Sequence, residues 1–330
     1  MRQREQVVVV TGASSGIGRA TAEAFARKGC AVVLAARREE ALEATAQKCE
    51  KHRGARTLVV PTDTTDAKAV DDLARRAVEE FGRIDVWVNN AAVNAFGRFE
   101  DVPLEDFRKV LDVNVMGYVH GARAALRVMR EQGRRGTLIN ISSIAGAVAQ
   151  PYSHPYSMSK HAIQGLGSSL RQQLRVEGLR DIRVCTVMPA TIDTPHFEQA
   201  ANFTGRKVLA MPPVYSPERV ARAVVDLARH PHREVVVGPA GRALVRRSRK
   251  HPALAERVMA RQTDRTHLSH DEAAPATHGA LHVPAPGEGA VHGGWGGRRR
   301  TAMRRTAVVT LAGAGLAAAG RRISRKAVAA

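Results

Sequence analysis

Aromatic residues make up only 4% of this 330-residue chain. Ala, Val and Leu must therefore fill most of any core, and a nucleic-acid surface of basic side chains interleaved with stacking rings is disfavoured. Cysteine is also scarce. Cys30, Cys49 and Cys185 are widely spaced, odd in number and form no CxxC pair, which argues against a disulfide framework or a zinc site and for a reducing compartment. No signal-peptide pattern precedes the first apolar run, because Met1–Glu5 leads straight into Val7–Val10; the expected location is the cytoplasm.

Acidic residues are outnumbered, 31 against 51 Lys and Arg, for a formal charge of +20. The excess is concentrated at one end: residues 239–330 hold 17 Lys/Arg and 5 Asp/Glu. Such a tail could meet anionic lipid, or it could be a solvated Arg-rich extension. No specific nucleic-acid partner is expected.

What the chain does contain is alternation. Val7–Thr11, Ala31–Ala36, Thr57–Val60, Ile84–Asn89, Gly136–Ile141, Ile182–Val187 and Glu234–Val237 read as strands. Each is a near-continuous apolar run, as parallel strands covered on both faces require. Between them lie helical patterns at Ile17–Lys28, Glu39–His52, Asp66–Phe81, Leu104–Gln132, Pro155–Val176 and Ser216–His230. The fold class is therefore α/β: a Rossmann-type doubly wound parallel sheet of about seven strands with helices on both faces. A largely helical or disordered C-terminal extension follows.

Residues 1–240 form the expected catalytic domain and 241–266 a basic helical extension. Residues 267–300, rich in His, Pro, Gly and Ala, read as a disordered linker. Its histidines (His267, His270, His278, His282 and His292) lack a tight ligand spacing, so no metal is expected. Residues 301–330 read as a short C-terminal helix. Within it Thr306–Gly320 is uncharged and flanked by Arg pairs; at about 22 Å it falls short of a ~30 Å hydrocarbon core. The readings left open are an exposed or self-packed helix, weak association with an anionic membrane surface, and a true span.

After the first strand comes Gly12-Ala-Ser14-Ser15-Gly16-Ile17-Gly18, and then a helix. Glycines there make the turn and let the backbone approach a pyrophosphate, while the helix N-terminus offers free N–H groups to its charge. At the end of the second strand an Asp or Glu would bond a ribose 2′-hydroxyl. This sequence has Ala36 followed by Arg37 and Arg38, and a guanidinium can grip a 2′-phosphate. NADP(H) is therefore favoured over NAD(H). Tyr156 and Lys160 lie four residues apart on a helical pattern, hence on one face. An ammonium there should lower the phenol's pKa towards that of a useful proton shuttle.

The TGxxxGxG spacing together with Tyr156-Ser-Met-Ser-Lys160 resembles the short-chain dehydrogenases/reductases, and the resemblance covers roughly residues 6–238. It implies that Ser143, thirteen residues before Tyr156, orients the substrate oxygen, with Ser142 its structural neighbour and Tyr152 a decoy. Lys160 would also bind the nicotinamide ribose, and Asn114 would free a backbone carbonyl for a water that joins Lys160 to solvent. Asp63 would cap the adenine, and Asn90 and Ala91 would flank the cofactor. Pro189, Ile192 and Thr194 would meet its carboxamide and pyrophosphate, although Ala190 stands where the family has Gly. Pro195–Val214, with Phe197, Phe203, Leu209 and Met211, would be the substrate lid and suits an apolar carbonyl or alcohol. The family usually forms dimers through the helices flanking the Ser143 strand, and a homodimer or homotetramer is expected. A non-catalytic NADP-sensing module that binds partners through the basic tail is the alternative.

Overall fold

The computed structural model of the chain describes residues 6–133 and 135–296. The order begins β1 (Val7–Thr11), α1 (Gly16–Ala26), β2 (Ala31–Ala36), α2 (Glu39–Glu50), β3 (Arg56–Pro61), α3 (Ala67–Phe81), β4 (Val86–Asn89). It continues with a two-residue β5 (Ala95–Phe96), α4 (Leu104–Leu111), α5 (Gly117–Glu131), β6 (Gly136–Ile141), α6 (His154–Val176) and β7 (Ile182–Pro189). Then come α7 (His196–Gln199), β8 (Ala201–Asn202), β9 (Arg206–Val208), α8 (Pro217–Arg229) and β10 (Glu234–Val237).

Seven strands form one sheet in the order β10-β7-β6-β4-β1-β2-β3, and every pairing in it is parallel. The strand order reverses between β1 and β4, so the crevice beyond their carboxyl ends is where such a sheet takes a ligand. Both faces are covered. Val8, Val10, Val32, Leu34, Val86 and Val88 pack in one cluster with α1 and α8 residues. Val7, Val9, Val33, Trp87 and Leu138 pack in the other with α3 and α5 residues. That two-sided burial is why the strands carry no polar alternation. Each fully buried Val or Leu contributes about 1.5–3 kcal/mol.

Two sequence expectations change here. The single helix expected over Leu104–Gln132 is α4 and α5 joined by a five-residue π turn, Asp112–Met116, with Asn114 at its centre. Asn114 is buried and its amide turns inwards: Oδ1 accepts from Val93 N (2.9 Å), and Nδ2 donates to Val93 O (2.9 Å) and Ser159 Oγ (3.1 Å). Wide turns of this kind concentrate at functional sites.

The second change is larger. The basic extension is two helices, α9 (Pro239–Lys250) and α10 (Pro252–Thr266); Pro252 lacks the N–H that would continue α9. Residues 267–296, whose composition reads as a disordered linker, are ordered against the core. β11 (Leu268–Ala273) pairs antiparallel with β9, anchored by buried Leu268 and by Arg206, which donates to the Leu268 and Ser269 carbonyls (2.9 and 2.8 Å). The chain then returns as an extended strap to the carboxyl ends of the sheet. A few buried apolar anchors and many side-chain-to-backbone bonds hold it, which composition cannot reveal. The expected C-terminal helix lies outside the described residues. Among the described residues, no helix is long and apolar enough to cross a membrane.

Candidate active site

The glycine loop is built by close contact. Gly12 and Gly16 hold positive φ (67° and 53°), where L side chains are strained. A Cβ on Gly12 would come within 2.8 Å of Ala91 Cα, and one on Gly18 within 2.1 Å of the Gly12 carbonyl oxygen. Asn90 pins the loop: its amide donates to the Thr11 and Gly12 carbonyls (2.9 and 3.3 Å). Thr11 Oγ1 in turn accepts from the backbone N–H groups of Asn90 and Ala91 (3.0 and 3.2 Å).

Around this loop lies a cavity of about 290 Å³. Its lining includes Gly12, Ser14, Ser15, Gly16, Ile17, Arg37, Arg38, Asp63, Asn90 and Ala91 on one side. On the other stand Ser143, Tyr156, Lys160, Pro189, Ile192 and Thr194. Of the site residues expected from sequence, only Gly18 and Asn114 stand outside it, Gly18 beneath the loop and Asn114 behind it. Burial pushes the Asp63 carboxyl up, but bonds from Thr65 and the nearby Lys109 and Arg37 charges outweigh it and hold the pKa below the ordinary value. Ala190 fits because Gly238 and Gly241 face it; a Cβ on either would lie 3.1 or 3.0 Å from its methyl.

Ser143 starts a short 3₁₀ turn, its Oγ accepting from Ala145 N (3.1 Å). Tyr156 and Lys160 sit one turn apart on α6. Lys160 is buried, donating to the Ile141 carbonyl (3.0 Å) and Tyr118 Oη (3.4 Å), with Nζ 5.3 Å from the Tyr156 ring centre. Burial lowers Lys160 to about 7. It raises Tyr156 to about 12, opposed by a hydrogen bond with Ser143. This direction is opposite to the lowering expected from the Tyr156–Lys160 spacing, and its cause is desolvation of the buried phenol. Ser142 Oγ donates to the Lys160 carbonyl (3.0 Å) and is buried, a supporting role. Tyr152, at φ 60°, packs beside Phe96.

Sequence reading missed His196 and His267. The Tyr156 and His196 rings lie 5.5 Å apart, and Phe197 contacts both His196 (5.6 Å) and His267 (5.6 Å). Burial lowers His196 to about 4, helped by Lys160 and His267, and burial lowers His267 to about 4 as well. Both are therefore neutral at physiological pH. Phe197 and Met211 line the cavity with them, whereas Phe203 packs against Ala95 and Val102 instead.

The strap crosses the same site. Arg37 donates to the carbonyls of Ala280, Leu281 and His282 (2.8, 3.1 and 3.1 Å). Arg38 donates to those of Ala285, Pro286 and Gly287 (2.8, 3.3 and 3.0 Å). The buried Arg19, also missed, donates to Glu288 and Gly289 (3.0 and 2.9 Å), and Gly16 N–H to Ala290 O (2.8 Å). At the far end Asp193 Oδ1 accepts from the N–H groups of Gly293 and Trp295 (3.1 and 2.8 Å).

His278 and His282, four residues apart, do converge: their ring nitrogens lie 2.9 and 2.7 Å from the two oxygens of fully buried Asp106. These three residues are a possible ligand set by type. Two ligand atoms around a tetrahedral zinc at about 2.0–2.1 Å would stand about 3.3 Å apart, so the spacing is that of a hydrogen-bonded clasp.

Residues 6–204 match the family model for short chain dehydrogenases. The chain is 37% identical over 257 residues to the uncharacterized oxidoreductase YxnA of Bacillus subtilis, covering 78% of this chain and 72% of that one. It is 33% identical over 220 residues to the uncharacterized oxidoreductase SH0585 of Staphylococcus haemolyticus, covering 67% and 89%. Among solved structures, a short chain dehydrogenase/reductase from Burkholderia phymatum in complex with NAD superimposes at a TM-score of 0.69 with 29% identity, covering 76% of this chain and 94% of that one. An alcohol dehydrogenase from the archaeon Thermococcus sibiricus complexed with 5-hydroxy-NADP gives 0.62 with 28% identity, covering 70% and 95%.

Proposed function

Because this chain belongs to the short-chain dehydrogenase/reductase family, we propose that it is an NADP(H)-dependent oxidoreductase interconverting an apolar ketone or aldehyde with its alcohol. The observation that carries this reading is the convergence of Ser143, Tyr156 and Lys160 on the one cavity that the glycine loop also lines. The residues present fit the cofactor: glycines whose Cβ would fill the cradle, an α1 N-terminus without a side-chain cap, and Ile192 and Thr194 opposite. When bound, the nicotinamide supplies or accepts the hydride.

Tyr156 donates the proton to the substrate oxygen during reduction and removes it during oxidation. A phenol at about 12 stays protonated at neutral pH, so it is ready as the acid. Ser143 Oγ holds the same oxygen as charge develops on it. Lys160, at about 7, can give or take a proton near neutrality, which suits it to restoring the tyrosine's proton, and its bonds to Tyr118 Oη and the Ile141 carbonyl hold its Nζ beside the Tyr156 ring. Asn114 positions the segment at Val93 and, through Ser159, the helix carrying Tyr156 and Lys160. The preference for NADP(H) rests on Ala36, which leaves no carboxylate for a ribose hydroxyl, and on Arg37 and Arg38 beside Ser14. The apolar character of the substrate rests on Phe197, Met211 and Met259 in the cavity wall. Assembly as a homodimer through α5 and α6 accords with exposed Met158 and Val176 on α6.

NADPH oxidation against a panel of aldehydes, ketones, quinones and steroids tests the proposal. Turnover with at least one apolar carbonyl, faster with NADPH than with NADH, is expected. Tight NADPH binding with no consumption across the panel would favour a sensing module instead.

A further inference from the structure

We infer that residues 278–295 are a removable wall of the cofactor groove, a strap that retains the bound cofactor and sets its rate of exchange. The inference rests on the nucleotide-binding reading above but not on the NADP preference within it.

The strap is bonded to the elements that read the cofactor rather than to a neutral surface. Its carbonyls take the guanidinium groups of Arg37, Arg38 and Arg19 and the Gly16 N–H. Its own N–H groups at Gly293 and Trp295 go to Asp193, and the Trp295 indole N–H goes to the Thr194 carbonyl (3.2 Å). Close approach is built into its sequence. A Cβ on Gly289 would come within 2.2 Å of the Ser14 carbonyl oxygen, and one on Gly293 within 2.2 Å of the Thr194 carbonyl oxygen. The segment does not fill the groove. Ala280, Pro284 and Ala285 line the cavity together with Gly12, Asp63 and Tyr156, so space remains beneath the strap.

Both ends are fastened while the middle is not self-supporting. At one end Leu281 is buried against Ala95, Val102 and Val110, and His278 and His282 hold Asp106. At the other, Trp295 packs edge-on against Phe197, 5.9 Å between ring centres. Between them no regular helix or strand is formed. Such a segment opens at lower cost than the sheet because it has few buried apolar contacts beyond Leu281. A cofactor beneath it leaves only when the strap lifts.

The test is stopped-flow binding of NADPH and of NADH to the full chain, with Gly289→Val, Gly293→Val and Trp295→Ala as strap variants. Loss of one or two strap bonds should speed cofactor dissociation about tenfold, with a smaller rise in association and weaker net affinity, for both cofactors. A variant with faster association and unchanged dissociation would make the strap a mere competitor and overturn the inference; unchanged rates in all three would overturn it as well. Trp295→Ala forces no atom into a neighbouring backbone and removes only the indole bond to the Thr194 carbonyl and the Phe197 contact, so it keeps the test open should a glycine variant fold poorly. Hydrogen exchange is the second arm: the Gly293 and Trp295 amides should slow when NADPH is added, and faster exchange would contradict the inference. A preference for NADH would sink the NADP reading while leaving the strap result to be judged on its own.

Discussion

Residues 6–238 and residues 239–296 are held together by different means. The first region buries two continuous apolar layers on a parallel sheet, and its elements announce themselves as runs of Val, Leu and Ala. The second region has few apolar anchors, and its last part lies on the first through backbone carbonyls taken by arginines. One is specified by pattern and the other by individual donors that belong to a different part of the chain. A composition rich in Gly, Pro and His is therefore compatible with order when partners are supplied from outside the segment.

The loop of the first region should be the least forgiving place in the molecule. Gly18→Ala puts a methyl group into the Gly12 carbonyl, and cofactor affinity measured by titration should fall at least ~100-fold, about 2.7 kcal/mol. If the strap is as folded as the core, Leu281→Ala should cost about 2–4 kcal/mol in chemical denaturation. Val283→Ala, at 73% exposed, should stay within about 0.5 kcal/mol. Equal small effects at both positions would break the comparison, by making the strap peripheral.

Arg37 belongs to both regions, which makes its replacement informative. Arg37→Ala should weaken NADP binding about tenfold more than NAD binding. Equal losses would mean that Arg37 serves the strap alone. The last effect concerns pH. Lys160 titrates at about 7 instead of 10.5, so between those values the unfolded chain carries a proton that the folded chain lacks, and stability rises with pH. Melting should show a rise of about 2 kcal/mol between pH 7 and 9 that Lys160→Met abolishes. Above pH 9 the buried Cys30, Cys49 and Cys185 thiols, raised to about 12, 12 and 11, act the other way.

Most of the first region was legible because its signals are local and periodic. Val7–Thr11, Gly12–Gly18 and the Tyr156–Lys160 spacing each specify their own geometry, and the seven strands follow from apolar runs. Asn114 could be named, but not the π turn around it, since that turn answers to Val93 and Ser159 across the fold. The upward direction of the phenol's pKa was not legible, because proximity of a lysine can be read from spacing whereas burial of both groups cannot. His196 carried one overlooked signal, its position directly after Thr194 and Pro195. The strap carried another: one of only two tryptophans in the chain, Trp295, stands in the segment that looked structureless.

The proton chemistry is the central claim, and Tyr156→Phe tests it most directly in a single-turnover experiment with bound NADPH and an accepted carbonyl. The account predicts unchanged NADPH affinity and a hydride-transfer rate at least ~100-fold lower, the usual worth of a positioned general acid. A variant that transfers hydride at the wild-type rate would contradict it.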